Sequence, residues 1–499
     1  MTRKSIIGLA FFQFCTLALM AQESAESVSV RLFKPEQLQE DYRILIKTLH
    51  DAYPSVYRYN GKEDIERFFT KNLGQLTAAM TEKEFFPIIA STVAKMKDEH
   101  IIATPSALYY DSLYKKQNRF MPFSIKIIGR KIYVWKSVAP ELGTGTEILA
   151  INGTPATDII QKLTSYIPHD GYIQTFPYRH LEDYAPTQNQ NFFDLLYPFF
   201  YPVPKHLLIG VRTTEGKSLT VPCESLNYND YASFYKSRMM HDLPMEYKSL
   251  STDISYLRIS SFHYYYREMY KQDFDTLFEK TFARLDNNKT KHLILDLRHC
   301  EGGDNSSLLL LSYLMNKPFR VIQYLEVPYS GLPSTAQYFE NPEGAYQPDS
   351  LLYRTTGGMY RLKSQYESTV PGYTAIQPRH HCFKGNLYVL TSGATGSAAA
   401  VVSSILRNSK RATFIGEETG GAMDGPTALN VSILILPNTK IKVEIPHIRE
   451  ELDVESTHGR GVTPDYSVEE SKQDLVNGRD AQLEFTLKLI DNKHARRRQ

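Results

Sequence analysis

The chain has 499 residues, 42% hydrophobic and 22% charged, a globular composition that excludes a disordered chain and is long enough for about three domains. The formal net charge of +2 is spread along the sequence, so nothing argues for a nucleic-acid partner. Only His494-Ala495-Arg496-Arg497-Arg498 forms a basic cluster, which reads as a short solvated tail.

Arg3 and Lys4 precede an apolar run from Ile6 to Met20, and Ala21 is followed by the polar Gln22-Glu23-Ser24. This is the grammar of a secretory signal peptide over residues 1–21, and it predicts a mature chain exported to the periplasm or beyond the cell. The run is shorter than the ~20 residues a membrane span needs, and no later segment offers a span. Export leaves Cys223, Cys300 and Cys382, an odd and widely spaced set that reads as free thiols, with one bridge still open. No CxxC, HExxH or acidic calcium loop is present, so neither a metal nor another cofactor is expected.

Residues 32–105 read as a helical N-terminal domain. Leu38, Tyr42, Leu45 and Leu49 recur at helical spacing until Pro54, and Ile65, Phe69, Leu73 and Leu76 mark a second helix. Thr81-Glu82-Lys83-Glu84 has capping-box form. The spacing after it puts Ile89, Val93, Met96 and His100 on one face, with Pro87 an alternative start.

Strand grammar takes over at residues 106–235. Phe123–Ile128 and Lys131–Lys136 alternate around a Gly129-Arg130 turn, as a hairpin does. The run Gly145-Thr-Glu-Ile-Leu-Ala-Ile-Asn-Gly-Thr-Pro155 before a short helical pattern resembles a PDZ domain. That resemblance implies binding of an extended peptide as an added edge strand; an ordinary small β-domain is the alternative. A Tyr-rich stretch at 166–205 fits neither and reads as an insertion or linker. Residues 240–480 alternate strand and helix. Within them His292-Leu-Ile-Leu-Asp-Leu297 is a continuous apolar strand of the kind buried in a parallel sheet.

Three segments of this last domain carry candidate chemistry. Asp296-Leu-Arg-His-Cys-Glu-Gly-Gly-Asp304 ends a buried strand in a glycine pair, which admits close backbone approach and suits an oxyanion hole, or else only a tight turn. Thr391-Ser-Gly-Ala-Thr-Gly-Ser397-Ala-Ala-Ala400 is a strand, a turn and a helix start. Ser397 is there either a nucleophile at a helix N-terminus or simply an N-cap. Glu455-Ser-Thr-His-Gly-Arg-Gly-Val-Thr-Pro-Asp465 is a polar loop.

Taken in order, and with Gly416-Glu-Glu-Thr-Gly-Gly421 between the last two, these motifs resemble the C-terminal processing (tail-specific) and tricorn-type serine peptidases. The resemblance implies an α/β multi-domain protein: a crotonase-like α/β catalytic domain preceded by the helical domain and the PDZ-like β-domain. It implies an exported endopeptidase that cleaves peptides or unfolded and C-terminal protein segments. A Ser–Lys design is disfavoured, because no Lys lies between Lys410 and Lys440 and Ala422 and Met423 fall where it would be. The tricorn-type design assigns Ser397 as nucleophile, His100 as base and Glu455 as the orienting carboxylate. It assigns Gly302 or Gly303 together with Ala398 to the oxyanion hole. Departures from the family pattern are Glu99, Ile101 and Ala400. Rival readings are an inactive peptide- or lipophile-binding protein on the same fold, as in related animal retinoid-binding domains, and a hydrolase of small esters or amides.

Overall fold

The capping box forms as the sequence writes it. Thr81 Oγ1 accepts the Glu84 amide, and the Glu84 carboxylate accepts the Thr81 amide. The helix it starts spans Glu82–Ala94 and carries Pro87 inside it. Pro87 removes one N–H from the ladder. Phe85, Phe86, Ile89 and Val93 are nevertheless almost fully buried, and that burial outweighs one lost bond. The helix stops at Ala94, so His100 is not on its face. Instead Lys97 turns the chain with φ of 56°, and His100 stands in the link to the strand Ala103–Thr104.

The computed structural model describes residues 31–183, 191–213, 216–238 and 243–497; the segment 1–21, read from sequence as a signal peptide, lies outside them. Among the described residues no helix is long and apolar enough to cross a membrane, and Cys223, Cys300 and Cys382 are unbridged.

The chain divides into two units. The first comprises residues up to 115, 324–366 and 427–450. It holds the helices Pro35–Ala52, Lys62–Gly74 and Glu82–Ala94. It also holds a sheet in the order Leu352–Arg354, Tyr360–Leu362, Ile322–Val327, Lys442–Leu452, Thr427–Ile435, with Ala103–Thr104 paired to the Lys442 strand. The sequence reading took residues 32–105 as purely helical. The strands that complete the unit come from far downstream, where local periodicity cannot see them. Buried Asp41 joins the two parts by accepting the Asn438 and Thr439 amides at 2.9 and 2.8 Å and the Thr439 hydroxyl at 2.6 Å.

The second unit comprises residues 116–323, 367–426 and 451–499. An antiparallel sheet runs in the order Phe123–Ile128, Lys131–Ser137, Glu147–Ile151, His206–Arg212, Ser218–Glu224. A second sheet runs Met245–Ser249, Ile254–Ile259, His292–Asp296, Asn386–Thr391, Ala412–Gly416, Tyr466–Ser467. All its pairings are parallel except the first. The strand His292–Asp296 is buried throughout, as its uninterrupted apolar run requires. Helices Phe274–Asn287, Ser306–Leu314 and Ser397–Asn408 make the crossovers. The C-terminal helix Ala481–Arg497 packs Ile490 onto Tyr256, Ile294, Tyr388 and Ile415. In such a layer the carboxyl ends of the parallel strands form the crevice where ligands bind.

The Asp296-Leu-Arg298 part of the first motif turns out to be scaffold. Arg298 donates from Nε to Asp296 Oδ1 at 3.0 Å and from Nη1 to Asp480 Oδ1 at 2.7 Å, tying the central strand to the start of the C-terminal helix. Tyr256 donates its hydroxyl to Asp296 as well. Burial works to raise the Asp296 carboxyl, but the charge and hydrogen bonds of Arg298 prevail and hold it well below the ordinary range. A carboxyl depressed in the fold contributes stability above its unfolded pKa and loses it as pH falls. Arg298→Ala therefore costs about 3 kcal/mol at pH 7, as expected for one half of a broken buried pair. In urea titrations the deficit relative to the parent is full above about pH 4 and shrinks below it.

Candidate active site

Three loops leave the carboxyl ends of adjacent parallel strands and meet around Ser397. The strand Asn386–Thr391 runs into a turn whose hub is Thr395, fully buried. Its hydroxyl donates to the Leu297 carbonyl at 2.8 Å and accepts the Ser392 amide at 3.0 Å. Its carbonyl accepts the Gly420 and Gly421 amides at 2.9 and 3.2 Å. Gly396 donates its amide to the Cys300 carbonyl at 3.1 Å, so the serine turn and the glycine-pair turn are stitched together.

The helix Ser397–Asn408 begins at Ser397 itself. Gly396 is the N-cap, without a side-chain cap bond, so the Ser397 hydroxyl is not the capping group. Ser397 holds φ at 44°, a left-handed conformation that is costly for a residue with a side chain and typical of strained functional turns. A sharp strand-to-helix turn of this kind lifts a hydroxyl clear at the carboxyl end of the sheet. Ala398 follows within the first helical turn, at the positive end of the helix dipole, while the Ala399 and Ala400 amides donate to the Gly396 carbonyl at 2.9 and 3.2 Å.

Gly302 and Gly303 lie against this helix start, with φ of 105° and 139°. A Cβ on Gly302 would stand 2.7 Å from both the Ala398 nitrogen and the Ser397 Cβ. One on Gly303 would stand 2.3 Å from the His263 nitrogen. Neither position admits a side chain. The Gly302 amide is engaged with the thiol of Cys300, whose pKa is pushed up by burial. Next to them the half-buried carboxyl of Glu301 is raised by burial to about 7.

The 166–205 stretch, read from sequence as an insertion or linker, clamps these loops. Its Asp170 carboxylate accepts the Ala422 amide at 2.9 Å, and its Thr175 hydroxyl donates to the Glu418 carbonyl at 3.0 Å. A Cβ on Gly393 would meet the Thr175 carbonyl carbon at 2.4 Å. Arg179 donates to both oxygens of Glu417 at 2.9 and 3.0 Å. Arg179 also donates to the Ile127 carbonyl at 3.1 Å, and Glu182 accepts the Ile127 amide at 2.6 Å. At Ile127 the outer edge of the antiparallel sheet is thus already engaged by the chain itself.

His100 belongs to the first unit. Asp98, also buried, accepts the Tyr53 hydroxyl at 2.7 Å and the His100 amide at 2.9 Å. Its Oδ1 stands 3.5 Å from His100 Nδ1, and Glu99 Oε1 stands 3.9 Å from Nε2. Glu444, which the sequence reading did not single out, and Glu450, which it weighed as a near neighbour of Glu455, share one face of the strand Lys442–Leu452. Glu444 and Glu450 are both raised to about 7 by burial, against which the charge of His100 pulls them down. Their even spacing on a strand was the available signal.

Glu455 does not join Ser397. It is exposed, and its amide donates to the side chain of Asn408 at 3.1 Å. Asn408 is the last residue of the helix that Ser397 begins, and twelve helical residues span roughly 16 Å. Glu455 instead lines, with Arg407 and Lys410, a cavity of about 1080 Å³ at that far end. The loop around it is held by Asp424, which accepts the Thr457 and Gly459 amides. Family spacing pointed to Glu455, but spacing along a loop does not report which end of the helix the loop passes.

Residues 253–468 match peptidase family S41. Among solved structures the chain is similar to mature CPAF, at 14% identity over 89% of this chain and 94% of that one, with a TM-score of 0.59. It is similar to mature CPAF complexed with lactacystin, at 14% identity over 91% and 97%, with a TM-score of 0.62. The photosystem II D1 C-terminal processing protease matches at 13% identity over 87% and 92%, with a TM-score of 0.41. At such identities the two CPAF likenesses speak for the fold alone.

Glu444 and Glu450 yield a pH prediction. A carboxyl raised from 4.5 to about 7 binds its proton more tightly folded than unfolded. Stability is then highest below the unfolded pKa and is lost as pH rises from about 4.5 to 7. Gln mimics the protonated acid, so Glu444→Gln and Glu450→Gln each gain about 1–2 kcal/mol relative to the parent at pH 8 and nothing at pH 4, as read by urea titration at the two pH values. An equal effect at both would show that these carboxyls do not titrate in this range.

Proposed function

As a serine-type peptidase whose residues 253–468 form a family S41 domain, this chain, we propose, uses Ser397 as its nucleophile and His100 as the base that activates it. The substrate class is peptides or unfolded and C-terminal protein segments, met outside the cytoplasm after export on the signal peptide. The reading takes the antiparallel sheet as PDZ-like, with the Asn152-Gly153 turn leading to the helix Ala156–Thr164, and the parallel layer as crotonase-like.

A serine hydroxyl attacks poorly until a base takes its proton, and imidazole titrates near neutral pH. In the proposed reaction Ser397 Oγ bonds to the scissile carbonyl carbon while its proton passes to His100. The carbonyl oxygen becomes an oxyanion, held by the Gly303 and Ala398 amides. Collapse expels the amine, which takes the proton from His100. Water then repeats the sequence on the acyl group and frees the serine. Asp98, rather than Glu455, is the acceptor that orients the imidazole.

The observation that carries this reading is the left-handed Ser397 at a helix start, pressed against a glycine turn that excludes any side chain. Such strain and contact are unneeded in a cap and suited to a nucleophile with an oxyanion trap.

A fluorophosphonate probe tests it. Labelling maps to Ser397 and disappears in Ser397→Ala. Peptide hydrolysis falls about 10³-fold or more in Ser397→Ala and His100→Ala. Gly302→Ala, in a protein shown to be folded, loses about 10²-fold because the added Cβ displaces the Ala398 amide. Glu455→Gln stays within about twofold of the parent, as a surface change does. A folded parent that takes no label overturns the enzyme reading and turns attention to peptide and lipophile binding.

A further inference from the structure

Three of the loops that leave the carboxyl ends of the parallel strands have been assigned. The loop after the strand Ile254–Ile259 has no role yet. Its first residues, Ser260, Ser261 and Phe262, are buried. Phe262 donates its amide to the Gly302 carbonyl at 2.8 Å and accepts the Asp304 amide at 3.3 Å, so the loop is laddered directly onto the glycine turn.

The loop then forms the short helix Tyr264–Met269. Arg267 fixes that helix to the turn a second time through an ion pair with Asp304. The same guanidinium lies 5.7 Å from the Tyr264 ring centre. Tyr266 points inward, buried, with its ring edge-on to Tyr270 at 4.9 Å. What remains faces water. Tyr264 is 58% exposed, Tyr265 72% and Met269 56%, with Tyr265 and Met269 one helical turn apart.

We infer that Tyr264, Tyr265 and Met269 are specificity residues that receive an apolar side chain of a polypeptide substrate close to its scissile bond, an inference that rests on the peptidase reading above. Three observations choose this occupant. The patch is continuous with the turn that touches Ser397: Gly302 meets Ser397, Gly303 meets Phe262 and His263, and Tyr264 comes next. A chain held with its carbonyl at Ser397 advances about 3.3 Å per residue, so side chains within two or three residues of the bond pass over this helix. The positive charge of Arg267 is matched by Asp304, and the exposed rings offer an aromatic surface for an apolar side chain, with the exposed carboxylate of Glu268 at its rim disfavouring acidic residues. The patch is held in place at both ends, so little ordering is needed on binding.

The test uses the purified full chain and two readouts. Internally quenched peptides carrying either Phe or Leu, or Ser or Glu, at each of the three positions on either side of the bond are compared on the parent, Tyr264→Ala, Tyr265→Ala, Met269→Ala and a remote control, Tyr353→Ala. The expected result is an at least fivefold rise in KM for the apolar peptides, kcat within twofold, and no change for the polar peptides or the control. Fluorescent versions of the same peptides are titrated into Ser397→Ala protein with and without the Tyr264 and Tyr265 substitutions, which reads recognition without turnover. Equal affinities for apolar and polar peptides, or affinities that ignore both tyrosines, overturn the inference even where hydrolysis is intact. Discrimination by the Ser397→Ala protein beside a parent that never hydrolyses sinks the peptidase reading and leaves the recognition surface standing. Loss of self-association or of liposome binding in the tyrosine variants, with peptide affinity unchanged, assigns the patch to another copy or to a lipid surface and also overturns it.

Discussion

The second unit depends on one close approach. The turn after the strand His292–Asp296 and the turn after the strand Asn386–Thr391 touch at Gly302 and Ser397, where a methyl group would have to stand 2.7 Å from two atoms at once. Parallel neighbours bring their carboxyl-end loops side by side as a matter of topology, but contact this tight needs a residue with no Cβ on one side. Ser397 answers with its own unusual backbone. Its left-handed φ aims the first helical turn at the glycines, so that loop, hydroxyl and helix start are set by the same constraint.

Such a conformation persists only when its surroundings over-determine it. Thr395 supplies part of that from inside, bonding to the Leu297 carbonyl and to three amides of two loops. The Tyr-rich segment supplies the rest from outside. Its Thr175 backbone fills the space where a side chain on Gly393 would go, and its Arg179 holds Glu417 with both oxygens. A strained residue on the serine turn and a segment with no evident role in the sequence therefore explain each other. The clamp is what keeps the strain from relaxing.

This division follows what a sequence can carry. The capping box at Thr81, the buried strand at His292–Asp296 and the hairpin around Gly129 were legible because each is written in neighbouring residues. The glycine pair and the serine turn were legible as motifs, since close approach and helix-start chemistry narrow the residue choice. The sheet of the first unit was not, because its strands are recruited from three separated stretches. The Asp296-x-Arg298 motif looked like part of the chemistry and is an ion-pair brace to Asp480. Order along the chain pointed to Glu455, which stands by Asn408 at the far end of the helix that Ser397 begins.

The carboxyls around His100 bear on the proposed reaction in a way that their number alone conceals. Asp98, Glu99, Glu444 and Glu450 all act on one imidazole. Four full negative charges there would favour the imidazolium and disable it as a proton acceptor. Burial opposes that by raising Glu444 and Glu450 to about 7, so that near neutral pH a large fraction of their charge is absent. The carboxylate with fixed geometry is Asp98, held by Tyr53 and by the His100 amide. When His100 takes up a proton, its charge pulls on Glu444 and Glu450 and favours their ionisation, so the negative charge grows when the imidazolium needs it. A base that must accept a proton and then release it is served better by carboxyls that titrate near the working pH than by carboxylates that are always charged.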